Sequence, residues 1–392
     1  MSEPFLPYGH QTIEEDDLRA VAEVLRSDWL TQGPAVERFE AELAEYCGTR
    51  HAVAVSSGTA ALHLAALVSG AGPGDVVLTS PNTFVATANC VRYAGATPGF
   101  VDIDPHTRNL DPTQLERFLE ESPLRTRVRG VIPVHFAGLP VDMNRIRELA
   151  RRHGLFVIED ASHALGAAWR DAAGSWVKVG ACTHSELTTL SFHPVKHLTT
   201  GEGGAILTNR DDLAARARAL RTHGITRETS PAVSDDGGWR YEMHELGFNY
   251  RITDLQCALG SAQLGRLERW LARRAQLVAR YRAALEGDAR IGLGSVPDGV
   301  RPAWHLLAVE VPARGRVYRR LRERGIGAQV HYIPVHLQPY YRRLLGTGPG
   351  DFPRAEAYYE RALSLPLYPS LRDEDVERVV RELEAALDEV AG

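Results

Sequence analysis

The sequence predicts an α/β fold: a mostly parallel sheet with helices on both faces, followed by a smaller C-terminal α+β domain. Two observations carry this. Short apolar strand signals alternate with helical stretches from the N-terminus to about residue 223, the pattern of a parallel sheet covered on both faces. Near Gly265 the texture changes to an arginine-rich helix and a few further elements. The expected division is 1–264 for the large α/β domain and 265–392 for the small one.

The elements follow in order. Residues 12–27 read as a helix with acidic residues in its first turn, as the helix dipole favours, and residues 35–46 as a second. The apolar run Ala52–Val55 reads as a strand, the turn Ser56-Ser57-Gly58-Thr59 follows, and a helix runs from Ala60 to about Leu67. Strand signals recur at Val76–Leu78, Pro98–Val101, Gly130–Val134, Leu155–Glu159, Leu187–Ser191 and Ala205–Thr208. Helical stretches lie between them at Thr83–Ala94, Pro112–Glu121, Pro140–Arg152 and Asp211–His223. A long helix over about Asp254–Glu286 leads into the second domain. There the expected elements are a strand at Ala303–Val311, a helix at Arg316–Gly325, a strand at Ala328–His331 and a final amphipathic helix at Asp373–Ala391. The Gly/Pro-rich piece 346–353 reads as a surface loop.

The 392 residues suffice for two domains and a large core. A net charge of −5 argues against a general nucleic-acid binder. Four cysteines lie far apart, with no CxxC pair and no zinc spacing, so reduced thiols and no metal site are expected. Met1–Asp17 is polar and acidic without the apolar stretch of a secretion signal, and no run is long enough to span a bilayer. A cytoplasmic location, away from any membrane, is expected. The chain has only two lysines, Lys178 and Lys196; every other basic residue counted is arginine.

Three stretches carry chemistry. In Ser191-Phe192-His193-Pro194-Val195-Lys196-His197-Leu198-Thr199-Thr200-Gly201-Glu202-Gly203-Gly204, a lysine follows a strand end and precedes a glycine-rich turn. A lysine that forms a Schiff base needs a fixed site and a depressed pKa, which burial or cationic neighbours supply. Lys178, in Gly174–Gly180, reads as part of a hairpin or surface ribbon. In Phe156-Val157-Ile158-Glu159-Asp160-Ala161-Ser162-His163-Ala164, an apolar strand ends in two carboxylates. Parallel sheets place their ligand crevice at the carboxyl ends of strands. A carboxylate there can hold the proton on the pyridine nitrogen of pyridoxal 5′-phosphate (PLP), and Asp160 is the choice, although a helix cap is an equally simple reading of it. In Ser56-Ser57-Gly58-Thr59-Ala60-Ala61-Leu62, a strand, a turn of small residues and a helix make a place for an anion. There is no GxxxxGK[ST] and no GxGxxG after a strand, against a P-loop NTPase or a dinucleotide enzyme.

Together these stretches resemble the PLP-dependent nucleotide-sugar aminotransferases of the DegT type, along nearly the whole chain from Pro7-Tyr8-Gly9 to Leu365-Pro366. Further matches are Leu30-Thr31-Gln32-Gly33-Pro34, Thr83-Phe84-Val85-Ala86-Thr87, Val134-His135-Phe136-Ala137-Gly138 and Gly247-Phe248-Asn249-Tyr250-Arg251. The resemblance implies a fold-type I PLP transferase in which Lys196 carries the cofactor and Asp160 pairs with its ring nitrogen. It implies that Gly58, Thr59 and Ser191 hold the phosphate, that Phe84 stacks on the ring, and that His163 lies on the opposite side or by the ring hydroxyl. It further implies a homodimer in which Asn249 of one subunit reaches the phosphate of the other. Tyr8, Thr31, His331 and Tyr332 match stretches that border the sugar-nucleotide pocket; for His331 and Tyr332 a core or interface role is an equal alternative.

Within the family, Pro7-Tyr8-Gly9, Ser191–Lys196 and Tyr332-Ile333-Pro334-Val335-His336-Leu337-Gln338-Pro339-Tyr340 look closest to the branch that makes UDP-4-amino-4,6-dideoxy-N-acetyl-β-L-altrosamine for pseudaminic acid. The implied reaction moves an amino group from L-glutamate to C4 of a UDP-linked 4-keto-6-deoxy-2-acetamido sugar. The alternatives are another nucleotide 4-keto-6-deoxy sugar (dTDP- or GDP-linked), an aminotransferase for amino acids alone, a sugar dehydratase, whose members carry histidine in place of the lysine, and a PLP-binding regulator.

Overall fold

The computed structural model describes residues 4–226, 239 and 241–391. Nine strands precede residue 210: β1 His51–Val55, β2 Val76–Thr79, β3 Thr97–Phe100, β4 Val128–Ile132, β5 Phe156–Asp160, β6 Ala168–Arg170, β7 Trp176–Lys178, β8 Leu187–Ser191 and β9 Gly204–Thr208. Seven of them form one sheet in the order β1-β9-β8-β5-β4-β2-β3. All neighbours are parallel except that β9 runs antiparallel to both β1 and β8.

Alternation along the strands divides the core between the two faces. Ala52, Ala54, Val76, Leu78, Val131 and Val157 pack with the helices Pro34–Cys47, Pro112–Glu121, Met143–His153 and Asp254–Leu264. Their neighbours Val53, Val55, Val77, Ile132 and Ile158 pack with the helices Gly58–Val68, Ala86–Tyr93 and Asp211–Arg221. A sheet so covered exposes only its strand ends, which is where a site can form.

A second core gathers around a three-stranded antiparallel sheet, Gly292–Leu293, Leu307–Glu310 and Ala362–Leu365, packed by the helices Leu267–Leu285, Arg314–Glu323 and Asp373–Ala391. Leu6 from the N-terminal segment is buried in this core, its backbone bonded to Gly325 and Gly327. The strand Val300–Arg301 returns to pair with β6.

Three expected elements differ. The helix expected over 254–286 is two, Asp254–Leu264 and Leu267–Leu285. Gly265, a poor helix former, lies at the break, and Arg266 is drawn to Asp17 and Glu14 at the first helix. The strand expected at 303–311 is confined to Leu307–Glu310, because Trp304 sits in the left-handed region at φ 50° and cannot continue a ladder. The run 328–331 is not a strand: only Gln329 bridges to Ser364, and the side chain of Tyr332 turns to the crevice described below. The strand Ala362–Leu365 and the helices Pro339–Leu345 and Pro353–Arg361 had no counterpart in the sequence reading, although Pro339 and Pro353 stand at first helical positions, where proline is favoured.

Candidate active site

The carboxyl ends of β1, β5 and β8 lie along one edge of the sheet, beside the start of the antiparallel β9. Together with Thr83, Phe84, the start of the helix Ala86–Tyr93, His305, His331 and Tyr332 they enclose a cavity of about 430 Å³. That is within the usual range for a small-molecule site. Its lining includes Tyr8, Gly58, Thr59, Phe84, Asp160, His163, Ser191, Lys196, His331 and Tyr332, ten of the twelve residues singled out from the sequence.

Asp160 closes β5 and is 4 % exposed. Both carboxylate oxygens are engaged: Thr87 Oγ1 donates to Oδ2 at 2.7 Å, and Ser162 donates to Oδ1 from its hydroxyl at 2.6 Å and its N–H at 3.1 Å. Glu159, one residue earlier, faces the other side of the sheet, as strand alternation requires. There His135 accepts from Val141 N at Nδ1 (3.1 Å), so its Nε2–H donates to Glu159 Oε2 at 2.8 Å. Ser185 and Thr188 hydroxyls serve the other Glu159 oxygen. The two adjacent carboxylates therefore have separate settings: Glu159 is buried and fully partnered, and Asp160 faces the cavity.

Lys196 follows the end of β8. Its Nζ lies 3.4 Å from Nε2 of His305. Burial lowers its pKa from 10.5 to about 8, with the Asp160 charge opposing the fall. His163 and His305 are held well below the usual imidazole range by burial and by Lys196, and burial brings His331 to about 3. Burial pushes the Tyr332 phenol up. Tyr332 OH and His163 Nε2 share a hydrogen bond of 3.1 Å, and the His163 ring lies 4.4 Å from that of His305. Phe84 is 56 % exposed at the cavity, 6.1 Å from the Tyr332 ring.

The turn after β1 is built for close approach. Ser57 caps the helix Gly58–Val68 by accepting from Ala60 N at 3.0 Å. The first-turn N–H groups of Gly58 and Thr59 have no acceptor in their own helix. A Cβ at Gly58 would stand 2.8 Å from Cβ of Ser191, and one at Gly204 would stand 2.6 Å from the Ser57 carbonyl. Only glycine leaves this cradle open, and helix N–H groups beside a serine hydroxyl suit a phosphate. His163 Nδ1 and His305 Nδ1 are buried without a partner among the described residues. A lysine amine, a carboxylate, an open anion cradle and unpartnered imidazole nitrogens on one cavity fit PLP.

Thr31 and Asn249 lie elsewhere. Thr31 is exposed and bridges to Thr253, in a loop pinned by Asp254, whose carboxylate accepts from Gly33 N and Ala35 N at 2.8 and 2.9 Å. Asn249 is exposed and bridges to Thr222. Lys178 lies on the β6–β7 hairpin, donating to Tyr46 O and stacking 4.1 Å over the Tyr46 ring. The sequence reading missed His305, Thr87 and Ser162. Thr87 and Ser162 stood in motifs already marked; His305 is 109 residues from Lys196 and no local pattern points to it.

The sequence profile of the DegT/DnrJ/EryC1/StrS aminotransferase family matches residues 11–384. The chain is 42 % identical over 395 aligned positions to SpsC, a spore coat polysaccharide biosynthesis protein of Bacillus subtilis (strain 168), covering 99 % of this chain and 98 % of that protein. Among solved structures it is similar to Helicobacter pylori PseC, an aminotransferase involved in the biosynthesis of pseudoaminic acid. That likeness has a TM-score of 0.88 at 28 % identity and covers 98 % of this chain and 100 % of PseC. DesV of S. venezuelae gives a TM-score of 0.87 at 36 % identity, covering 98 % of this chain and 99 % of DesV.

Proposed function

The chain belongs to the DegT/DnrJ/EryC1/StrS aminotransferase family and is a PLP-dependent sugar aminotransferase; from that premise we propose that it transfers an amino group from L-glutamate to C4 of a UDP-linked 2-acetamido-2,6-dideoxy-4-hexulose. The observation that carries the transfer is the half-buried Lys196 amine on the same cavity as Asp160, where burial lowers its pKa to about 8. Such an amine is divided between its neutral and protonated forms near neutral pH, as a group that both takes and returns a proton must be.

Bound PLP supplies an electron sink that acidifies the carbon bearing the amino group. In this reading Lys196 holds the cofactor. Gly58 and Thr59 N–H and the Ser191 hydroxyl would receive its phosphate, Asp160 would keep the ring nitrogen protonated, Phe84 would stack on the ring, and His163 would lie on the opposite side or by the ring hydroxyl. Lys196 Nζ would take the proton from Cα of the amino donor and, when the keto sugar is in place, would give a proton to its C4. Tyr8, His331 and Tyr332 border the space left for the sugar. Asn249, exposed and away from its own cavity, suits a homodimer in which each copy completes the other's phosphate site. A large unit over 1–264 and a small one over 265–392, closing on the cavity from two sides, and a cytoplasmic setting complete the reading. No described helix is long and apolar enough to cross a membrane.

The UDP-linked acetamido sugar is supported by the Tyr332–Tyr340 and Ser191–Lys196 stretches and by the likeness to PseC. Other branches of the family share much of those stretches, which keeps a second reading, another nucleotide 4-keto-6-deoxy sugar, dTDP- or GDP-linked. A panel of nucleotide 4-keto-6-deoxy sugars with glutamate, products read by mass, separates the two. The acetamido L-arabino sugar is expected to give the highest kcat/KM, with its D-xylo epimer lower by roughly 10–200-fold, the discrimination of a pocket that only tolerates a group. A higher kcat/KM for dTDP-4-keto-6-deoxyglucose overturns the sugar assignment and leaves the aminotransferase in place.

A further inference from the structure

His305 stands in the cavity wall with no role in the proton transfer described above, yet the chain goes to unusual lengths to place it. It follows Trp304, a non-glycine residue in the left-handed region at φ 50°, and its N–H donates at 2.9 Å to the carbonyl of Ala137, itself left-handed at φ 58°. Such conformations are costly for residues with a Cβ and persist where the surroundings over-determine them. Gly138 is part of the same contact: a Cβ there would stand 2.8 Å from Trp304 N and 2.9 Å from His305 N. From the other side the fully buried Arg274 donates to the carbonyls of Trp304 (3.3 Å), His305 (3.4 Å) and Leu367 (3.0 Å). Two strained residues, a glycine contact and a buried guanidinium thus fix one imidazole.

What that imidazole meets is the lysine. Lys196 Nζ offers only donors when protonated, so His305 Nε2, 3.4 Å away, is the acceptor and its Nδ1 carries the hydrogen. That Nδ1 has no partner among the described residues, a second cost borne at the same ring. The ring stays neutral, since burial, Lys196, His163, His197 and Arg274 all oppose its charging.

We propose that His305 is a positioning residue for Lys196: its Nε2 is the seat that receives the lysine amine whenever that amine is free of carbon, and it holds the amine in its protonated form between the two proton transfers. This rests on the reading of Lys196 as the group that moves the proton. Without the seat, a buried ammonium would have Asp160 as its only stabilising charge and would lose its proton more readily. The other titratable groups near Lys196 are the imidazoles of His163, His193, His197 and His331, the phenols of Tyr8 and Tyr332 and the carboxylate of Glu202, all of which the His305 variants leave in place.

The two-lysine composition provides the test, which needs no turnover. The full-length apoprotein is acetylated in trace amounts from pH 6 to 11, and the rate at each lysine is read by peptide mass. Lys178, exposed and stacked on Tyr46, is the internal control and reports that the fold is kept. In His305→Leu the proton affinity of Lys196 is expected to fall about tenfold, the loss of one hydrogen bond to a charged group, with Lys178 unchanged. His305→Gln, which restores an acceptor, is expected to recover most of it. His305→Phe replaces the leucine variant if the latter fails to fold. An unchanged Lys196 titration in the apolar variant, or an equal fall in His305→Gln, overturns the proposal. Failure of the reading of Lys196 as the cofactor lysine shows instead in cofactor mapping of the wild-type protein, which does not involve His305.

Discussion

Lys196→Ala is expected to lose transamination by at least about 10³-fold in kcat while keeping the fold, since a positioned general base alone contributes about 10²–10⁴-fold. The side chain removed belongs to none of the hydrophobic clusters. Lys196→Arg should be equally inactive, because a guanidinium stays protonated and forms no ordinary Schiff base. Lys196→Ala also carries a stability signature. The folded pKa of Lys196, about 8, is below the ordinary 10.5, so the unfolded chain holds this proton more tightly than the native state. That destabilisation is in full force below pH 8 and is relieved as pH rises through 10.5. The apoprotein should therefore gain stability relative to Lys196→Ala between those limits, measured by denaturant unfolding at several pH values. A stability difference that is flat over that range contradicts the buried-amine assignment.

Asp160→Asn is expected to retain the cofactor and lose about 10²–10³-fold in kcat, the usual effect of removing one preorganised electrostatic partner. The local structure should survive. Thr87 donates to Asp160 now, yet its hydroxyl also lies 2.8 Å from Thr83 Oγ1 and can turn to accept from an amide. Ser162 can keep donating to the remaining carbonyl oxygen. The amide cannot hold the ring proton by charge. Retained cofactor absorbance with kcat within a few-fold of wild type would remove Asp160 from its role.

The site was legible in the sequence where chemistry is local. A chain with two lysines, one in a hairpin and one after a strand end before glycines, singled out Lys196, and the structure places it on the cavity. The Gly58 cradle was visible as a strand, a turn and a helix. Glu159 and Asp160 were ambiguous as letters, because adjacent carboxylates at a strand end look alike; the pleat separates them, and His135, 24 residues away, takes Glu159. His305 was not legible, since its place depends on left-handed turns at Ala137 and Trp304 that neither residue type signals. The break at Gly265 was visible only as a change of texture: helical periodicity continues across it, and the ion pairs of Arg266 with Asp17 and Glu14 at the bend join residues far apart in sequence. The short strand at 362–365 follows a helix without a break and has no turn residue to mark it.

Borohydride reduction of the yellow holoenzyme, followed by peptide mapping, tests the role of Lys196 most directly. The cofactor is predicted to be fixed to one peptide containing His193–Thr200, at Lys196. Label on Lys178, or on neither lysine, would contradict it.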